Sequence, residues 1–338
     1  MTVEEFINHW NAPGETVEVR TSGSTGTPKV MQVEKRRMLA SARATCDFMG
    51  LKSGDTALLC MSVDYIAGKM MVVRAIERDL ELVTVEPSSH PLAASIFSDE
   101  MGKKLDFAAM VPMQVYSSLQ VPEERERLAG IRHLIIGGGP LDASLEDELR
   151  SFGNAIWHSY GMTETLSHIA LRRVSGSDAS PWFTPMPGIT LSTNEDHCLV
   201  IDAPHLCPER LVTRDVVEMS EADGLQRFKV LGRIDNVINT GGIKVYIEQI
   251  EKELAPHISC PFLITKCPDS KFGEAVVMLL QGVESDIPVA KAVCDSVLTR
   301  YARPKHILAV TSLPMTPTGK PARAQVAAFA FKVLKSKN

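Results

Sequence analysis

Residues 131–161, IRHLIIGGGPLDASLEDELRSFGNAIWHSYG, hold an apolar run, a glycine turn, an amphipathic stretch and a second apolar run. Apolar runs of about four to eight residues read as buried strands, while SLEDELRSF carries the spacing of a helix with one apolar face. Strand, crossover helix and strand make one parallel unit. Towards the N-terminus, TALLCMSV from Thr56, LELVTVE from Leu80 and DFAAMVPM from Asp106 read as further strands, with IAGKMMVVRAIERD from Ile66 as a helix. The prediction is an α/β fold with a mostly parallel sheet covered by helices over roughly residues 20–170. Such sheets gather ligand loops at the carboxyl ends of their strands, where Gly137-Gly138-Gly139-Pro140 falls.

Beyond residue 188 the texture changes to short alternating runs, CLVIDAP, RLVTRDVVEM and LQRFKVLGR, with Asp223-Gly224 as the turn between two of them. Antiparallel strands are expected there. After Gly232-Arg233-Ile234-Asp235 come a helix, KVYIEQIEKELAPH, a hairpin around DSKFGE, a helix, VAKAVCDSVLTRYA, and a last strand, KHILAVTSL. That is enough for a small α+β domain. At 338 residues the chain exceeds what one core usually serves, so the expected division is a large domain, 1–234, and a small one, 235–338.

The composition is that of an ordinary globular protein, 44% hydrophobic and 23% charged, and it lacks the run of about 18 apolar residues that a membrane span needs. The opening MTVEEFINHW has neither a basic flank nor an apolar signal core, so a cytoplasmic location is expected, without membrane insertion. A net charge of -5 gives no general attraction for nucleic acid. Seven cysteines form no CxxC pair and no spacing that suggests zinc, so they read as reduced, mostly buried thiols. His133, beside an apolar run, reads as structural.

Thr21-Ser22-Gly23-Ser24-Thr25-Gly26-Thr27-Pro28-Lys29 packs hydroxyls, glycines and a lysine into nine residues. Glycines let backbone N–H groups converge on an anion, hydroxyls add short donors and Lys29 adds charge, so the loop suits a polyphosphate. It is not a Walker A loop, which would need glycine at Pro28 and a hydroxyl residue at Val30.

TSGSTGTPK resembles the phosphate loop of the adenylate-forming superfamily of acyl-CoA synthetases, adenylation domains and luciferases. Tyr160-Gly161-Met162-Thr163-Glu164-Thr165, Gly232-Arg233-Ile234-Asp235 and Pro317-Thr318-Gly319-Lys320 resemble three more of its motifs, in its order. The resemblance implies ATP and a carboxylate giving acyl-AMP and pyrophosphate, with Mg²⁺ as cofactor and coenzyme A as co-substrate. It implies Glu164 as the Mg²⁺ ligand, Thr163 as a donor to the α-phosphate and Lys320 as the lysine of the first half-reaction. Gly137, Gly138, Gly139 and Pro140 would line one side of adenine, with Tyr160 and Gly161 on the other. Asp215 and Arg233 would contact the ribose, although Arg214 stands where the family usually has glycine. Asp235 matches the hinge about which the small, mobile domain rotates between half-reactions. Thr240-Gly241-Gly242-Ile243-Lys244 would then approach the thiol acceptor, with Gly241, Gly242 and Lys244 lining its passage.

Only twenty residues precede Thr21, so the resemblance implies a reduced N-terminal lobe. YGMTETLSHIALR is similar to the short bacterial o-succinylbenzoate-CoA ligases of menaquinone biosynthesis. Tyr65-Ile66-Ala67-Gly68 sits where that subgroup has His-Ile-Ser-Gly, so Tyr65 departs from its histidine. By motif position Tyr65, Lys69, Arg74 and His168 are the candidates to meet that acid. Another acyl- or aryl-CoA ligase, or an enzyme loading a carrier-protein thiol, keeps the same chemistry. An inactive nucleotide-binding protein is an alternative from another class. A P-loop hydrolase is disfavoured by the loop, and neither HExxH nor GxSxG occurs for a zinc or serine hydrolase. The oligomeric state stays open, a homo-oligomer included.

Overall fold

The computed structural model describes residues 1–20, 30–93, 104–222, 224–315 and 321–336. Helix α1 (Val3–Asn11) starts on a capping box, in which Glu5 N donates to Thr2 Oγ1 at 3.1 Å and Thr2 N donates to Glu5 Oε2 at 2.7 Å. A two-stranded antiparallel pair follows, β1 (Thr16–Arg20) with β2 (Val30–Glu34), which the sequence reading had not separated from the main sheet. Next come α2 (Lys35–Met49), β3 (Thr56–Leu59), α3 (Ile66–Arg78), β4 (Glu81–Thr84), β5 (Phe107–Met110), α4 (Pro112–Leu119) and α5 (Pro122–Gly130). The opening stretch then forms β6 (His133–Ile136), α6 (Ala143–Arg150) and β7 (Ala155–Gly161), followed by β8 (His168–Arg173) and β9 (Thr184–Pro185).

These strands make one sheet in the order β4-β3-β5-β6-β7-β8-β9, parallel from β4 to β7 and antiparallel thereafter. Its two faces follow from the period of two along each strand. Ala57, Leu59, Phe107 and Ala109 face one core with α1, α2 and α3; Leu58, Cys60, Ala108 and Met110 face the other, with α4, α5 and α6. This is the helix-covered α/β sheet that the alternation predicts. Six of the seven cysteines are buried free thiols, and Cys260 is half-buried.

A second sheet, wholly antiparallel, joins β10 (Thr190–Thr193), β11 (Cys198–Asp202), β12 (Leu211–Ala222) and β13 (Leu225–Arg233). Gly224 turns at a φ of +73° between the last two, and its predicted partner Asp223 lies outside the described residues. A short 3-10 turn, Ile234–Asn236, leads to a third sheet. It contains β14 (Val237–Thr240), β15 (Ile243–Tyr246), β16 (Phe262–Asp269), β17 (Gly273–Gln281) and β18 (His306–Val310), with α7 (Ile247–Leu254), α8 (Ile287–Val297) and α9 (Arg323–Ser336). Along β17, Val276, Met278 and Leu280 pack under α7 and α8, while Ala275, Val277 and Leu279 pack under α9.

Three local readings need correction. Lys244–Tyr246, read as the start of a helix, extend β15, because Gly241 and Gly242, at φ +59° and +80°, form a two-residue hairpin turn with Thr240 opposite Ile243. The helix read through Ala302 ends at Val297, where Leu298 turns to extended backbone. Helix α9 was not foreseen. No helix among the described residues is long and apolar enough to cross a membrane.

Candidate active site

Tyr160, near the end of β7, donates its hydroxyl to Asp215 Oδ2 at 2.6 Å, and its ring packs edge-on against Phe228. Burial and the Asp215 carboxylate push the phenol's pKa well up, so it remains a donor at neutral pH. Pairing of β12 with β13 sets Asp215 opposite Arg233, whose Nη1 lies 3.4 Å from Asp215 Oδ1. Asp215 is thus held in place by a neutral donor and a cation. Its oxygens retain acceptor capacity for vicinal hydroxyls, the chemistry a ribose needs. Arg214, the departure from the family glycine, points its fork at Asp235: Nε lies 2.7 Å from Asp235 Oδ2, and Nη2 meets the other oxygen. Arg214 holds the Asp235 carboxyl below the usual carboxylate range.

Gly137 N donates to Met110 O at 3.0 Å, anchoring the start of the glycine segment, and Gly138 sits at a φ of +83°. Thr163, Glu164 and Thr165 form a short 3-10 turn, on which Glu164 is exposed. Leu166 follows at a φ of +65°, a backbone conformation that costs a side-chain-bearing residue about 1–3 kcal/mol. Gly161 lies so near β8 that a Cβ there would come within 2.6 Å of His168 Cα. The end of β7, which leads into the turn bearing Glu164, therefore lies close against the strand that begins at His168.

Under this turn lies a buried cation. Arg74, on α3, is 3% exposed and donates through Nη2 to Ser167 Oγ at 2.5 Å. Ser167 Oγ is 3.3 Å from His168 Nδ1, and His168 Nε2 is 3.1 Å from Thr45 Oγ1 on α2. Among the described residues no carboxylate pairs with Arg74, and its Nε has no hydrogen-bond partner. Burial pushes the arginine down to about 10 and, with Arg74 adding to burial, His168 down to about 3. The structure brings Arg74 and His168 together; Tyr65 and Lys69 lie outside this cluster. Tyr65 is an exposed cap of α3, and Lys69 donates to Val63 O at 2.8 Å while its ammonium lies 5.2 Å from the Phe6 ring centroid.

On the third sheet, Gly241, Gly242 and Lys244 are exposed. A Cβ on Gly241 would meet Phe272 at 3.2 Å and Tyr301 at 3.5 Å, and Lys271 and Lys305 lie 5.3 and 5.9 Å from the Phe272 ring centroid. Aromatic faces beside ammonium groups suit a base joined to phosphates. The sequence reading missed Phe272 and Tyr301, although an aromatic at the tip of DSKFGE was a usable signal. It also missed Ser167, inside a stretch already singled out, and Thr45, which only tertiary packing brings near. Thr21, Ser22, Gly23, Ser24, Thr25, Gly26, Thr27, Lys29 and Lys320 lie outside the described residues. The chain on either side is fixed by Arg20 pairing with Val30 and by a bridge from Met315 to Pro321.

A family model for AMP-binding enzymes matches residues 20–207, which include the glycine segment and the Tyr160–Glu164 turn. The chain belongs to the AMP-binding enzyme family. Its similarity to a crystallised Dyadobacter fermentans protein, described as acyl-CoA synthetase (AMP-forming)/AMP-acid ligase II-like, spans nearly all of both chains: 33% identity over 95% of this chain and 91% of the other, TM-score 0.64. The 2-succinylbenzoate–CoA ligase of Listeria monocytogenes is 23% identical over 94% of this chain and 70% of that protein. In fold, this family member resembles the Bacillus subtilis o-succinylbenzoate coenzyme A synthetase solved with ATP and magnesium, with a TM-score of 0.73 at 21% identity over 91% of this chain and 69% of that one.

Proposed function

We propose that the protein is an ATP-dependent carboxylate–CoA ligase that works through an acyl-adenylate, and that its acid is o-succinylbenzoate. The observation that carries the choice of acid is Arg74. A buried guanidinium without an anion is costly, and it suits a ligand that brings a carboxylate of its own. o-Succinylbenzoate has two carboxylates: one can be activated while the other meets Arg74, with Ser167 adding a hydroxyl. The named ligases of Listeria and Bacillus support the same acid.

In the proposed site Tyr160 flanks the adenine, Asp215 and Arg233 hold the ribose, and Thr21–Thr27 with Lys29 receive the phosphates. Attack of a carboxylate on the α-phosphorus brings two anions together, so positive charge must be in place beforehand. Lys320 supplies part of it. Glu164, an exposed carboxylate on a rigid turn, would hold a magnesium ion, which supplies charge to phosphate oxygens. Breaking of the bond from the α-phosphorus to the pyrophosphate oxygen leaves acyl-AMP. The thiol of coenzyme A then displaces AMP, with Gly241, Gly242 and Lys244 beside the incoming arm and Phe272 and Tyr301 beside its nucleotide end. Residues 1–234 and 235–338 act as the two domains, and Asp235 is the hinge.

The test is thioester formation, read by mass spectrometry, with o-succinylbenzoate, benzoate and short fatty acids in wild type and Arg74→Leu. The wild type should prefer o-succinylbenzoate. In Arg74→Leu, loss of a buried charge partner, about 2–5 kcal/mol, lowers kcat/KM for it by roughly 30- to 4000-fold and leaves the other acids little changed. Equal use of benzoate by the wild type, or an unaffected Arg74→Leu, sinks the assignment of the acid.

A further inference from the structure

The glycine segment has a conformational problem. Gly137, Gly138 and Gly139 give it unusual freedom, and Pro140 has no N–H with which to fix the peptide unit that follows Gly139. Gly137 N is tied to Met110 O, but the far end needs another anchor. His158, on β7 and 8% exposed, provides it: its Nε2 lies 3.1 Å from Gly139 O. The other ring nitrogen decides how the imidazole is protonated. Arg172 Nε donates to His158 Nδ1 at 3.2 Å, so Nδ1 is the acceptor and Nε2 carries the proton given to Gly139 O.

Arg172 is in turn immobilised. Its Nη1 and Nη2 lie 2.8 Å from the two oxygens of Glu146, Nη1 also donates to Ser180 O at 3.2 Å, and its guanidinium lies 5.5 Å from the Phe183 ring centroid. Glu146 stands on α6, the helix that begins where the glycine segment ends, on an Asp142 cap that accepts from Leu145 N at 2.8 Å. Strand β8 sets Arg172 directly opposite His158. The chain Glu146–Arg172–His158–Gly139 thus closes on the segment from both ends. Burial and the neighbouring Arg172 push the His158 imidazole down to about 4, so it keeps this neutral form through the physiological range.

We propose that His158 is a positioning residue for the adenine base: held by Arg172, it fixes the Gly139 carbonyl and with it the backbone edge that recognises adenine. This rests on the adenine placement proposed above.

Two substitutions separate its two bonds. The amide nitrogen of asparagine reaches about as far as Nδ1 and that of glutamine about as far as Nε2, so His158→Asn gives up Gly139 while His158→Gln keeps a donor to it. Calorimetry with Mg-ATP and Mg-CTP reads the base separately from the ribose and phosphates, and thermal unfolding shows that each variant is folded. The wild type should prefer ATP. His158→Asn should weaken ATP by about tenfold with CTP unchanged, a loss in the range of one buried hydrogen bond, and His158→Gln should stay within about threefold of wild type. Weakening of ATP and CTP together, ATP binding by His158→Asn equal to wild type, or a His158→Gln no better than His158→Asn overturns the proposal. A wild type that binds ATP and CTP alike overturns the adenine placement itself. A wild type that prefers ATP but releases no pyrophosphate with any acid removes the ligase reading, while the variants still decide this one.

Discussion

His158 and His168 are both buried beside an arginine, and both imidazoles are therefore kept neutral. Burial is the larger cause in each, with Arg172 beside the first and Arg74 beside the second. In the unfolded chain these rings take up a proton near pH 6.5, whereas the native ones refuse it until about 4 and about 3. The unfolded state thus binds more protons between those limits, so stability is fully present above pH 6.5 and is lost as the pH falls, by about 1.4 kcal/mol per unit for each ring. Urea midpoints measured at pH 7, 6 and 5 should fall steadily, with a shallower fall in His158→Gln; a flat wild-type profile contradicts the neutral assignment. At this scale the sequence was informative where a motif fixed the residue, as for Tyr160, Asp215 and Arg233, which the structure joins. It could not foretell which charges lack a partner. Lys69 and Arg74 look alike as cations on α3, yet Lys69 is satisfied by Val63 O and Arg74 has no carboxylate beside it among the described residues.

The elements that reasoning from sequence identified well are the strands with a clean period. In β3, β5 and β6 a short apolar run between turn residues reads as a strand because both faces of a parallel strand are buried, whereas β7 buries only alternate residues. Helix α9 escaped because AQVAAFAF alternates small and large apolar residues without a clear polar face, although Val326 and Ala330 are buried against β17 and its neighbours. Strand β15 was hidden by a helix-like continuation into α7, while the Gly241-Gly242 turn that betrays it was read only as a substrate passage. That turn offers a comparison. A Cβ on Gly242 meets nothing within 4 Å, so Gly242→Ala carries only the cost of its left-handed backbone, about 1–2 kcal/mol of stability. Gly241→Ala must also shift Phe272, 3.2 Å from the added Cβ, while it comes into ordinary contact with Tyr301 at 3.5 Å. If these rings receive the nucleotide end of coenzyme A, Gly241→Ala raises the KM for coenzyme A well beyond Gly242→Ala; equal values for the two variants speak against that site.

Across the whole molecule, the proposed hinge lies between the second sheet, ending at Arg233, and the third, beginning at Val237. Arg214 grips Asp235 from the strand that also carries Asp215, so the proposed ribose contact and the proposed hinge share one short segment. A rotation about Asp235 must re-form or release this exposed ion pair. Arg214→Gly, which restores the usual family residue, should therefore shift pyrophosphate release and thioester formation from preformed acyl-AMP in opposite directions, by about two- to fivefold, as an exposed pair allows. A change of both in the same direction would place Arg214 outside the hinge.

If an acyl-adenylate forms before the thiol takes part, labelled pyrophosphate exchanges into ATP without coenzyme A. This exchange should depend on o-succinylbenzoate and be nearly abolished in Lys320→Ala, while that variant still makes thioester from preformed acyl-AMP. Absence of exchange with every acid in the wild type, or exchange that needs no acid, would contradict the acyl-adenylate route.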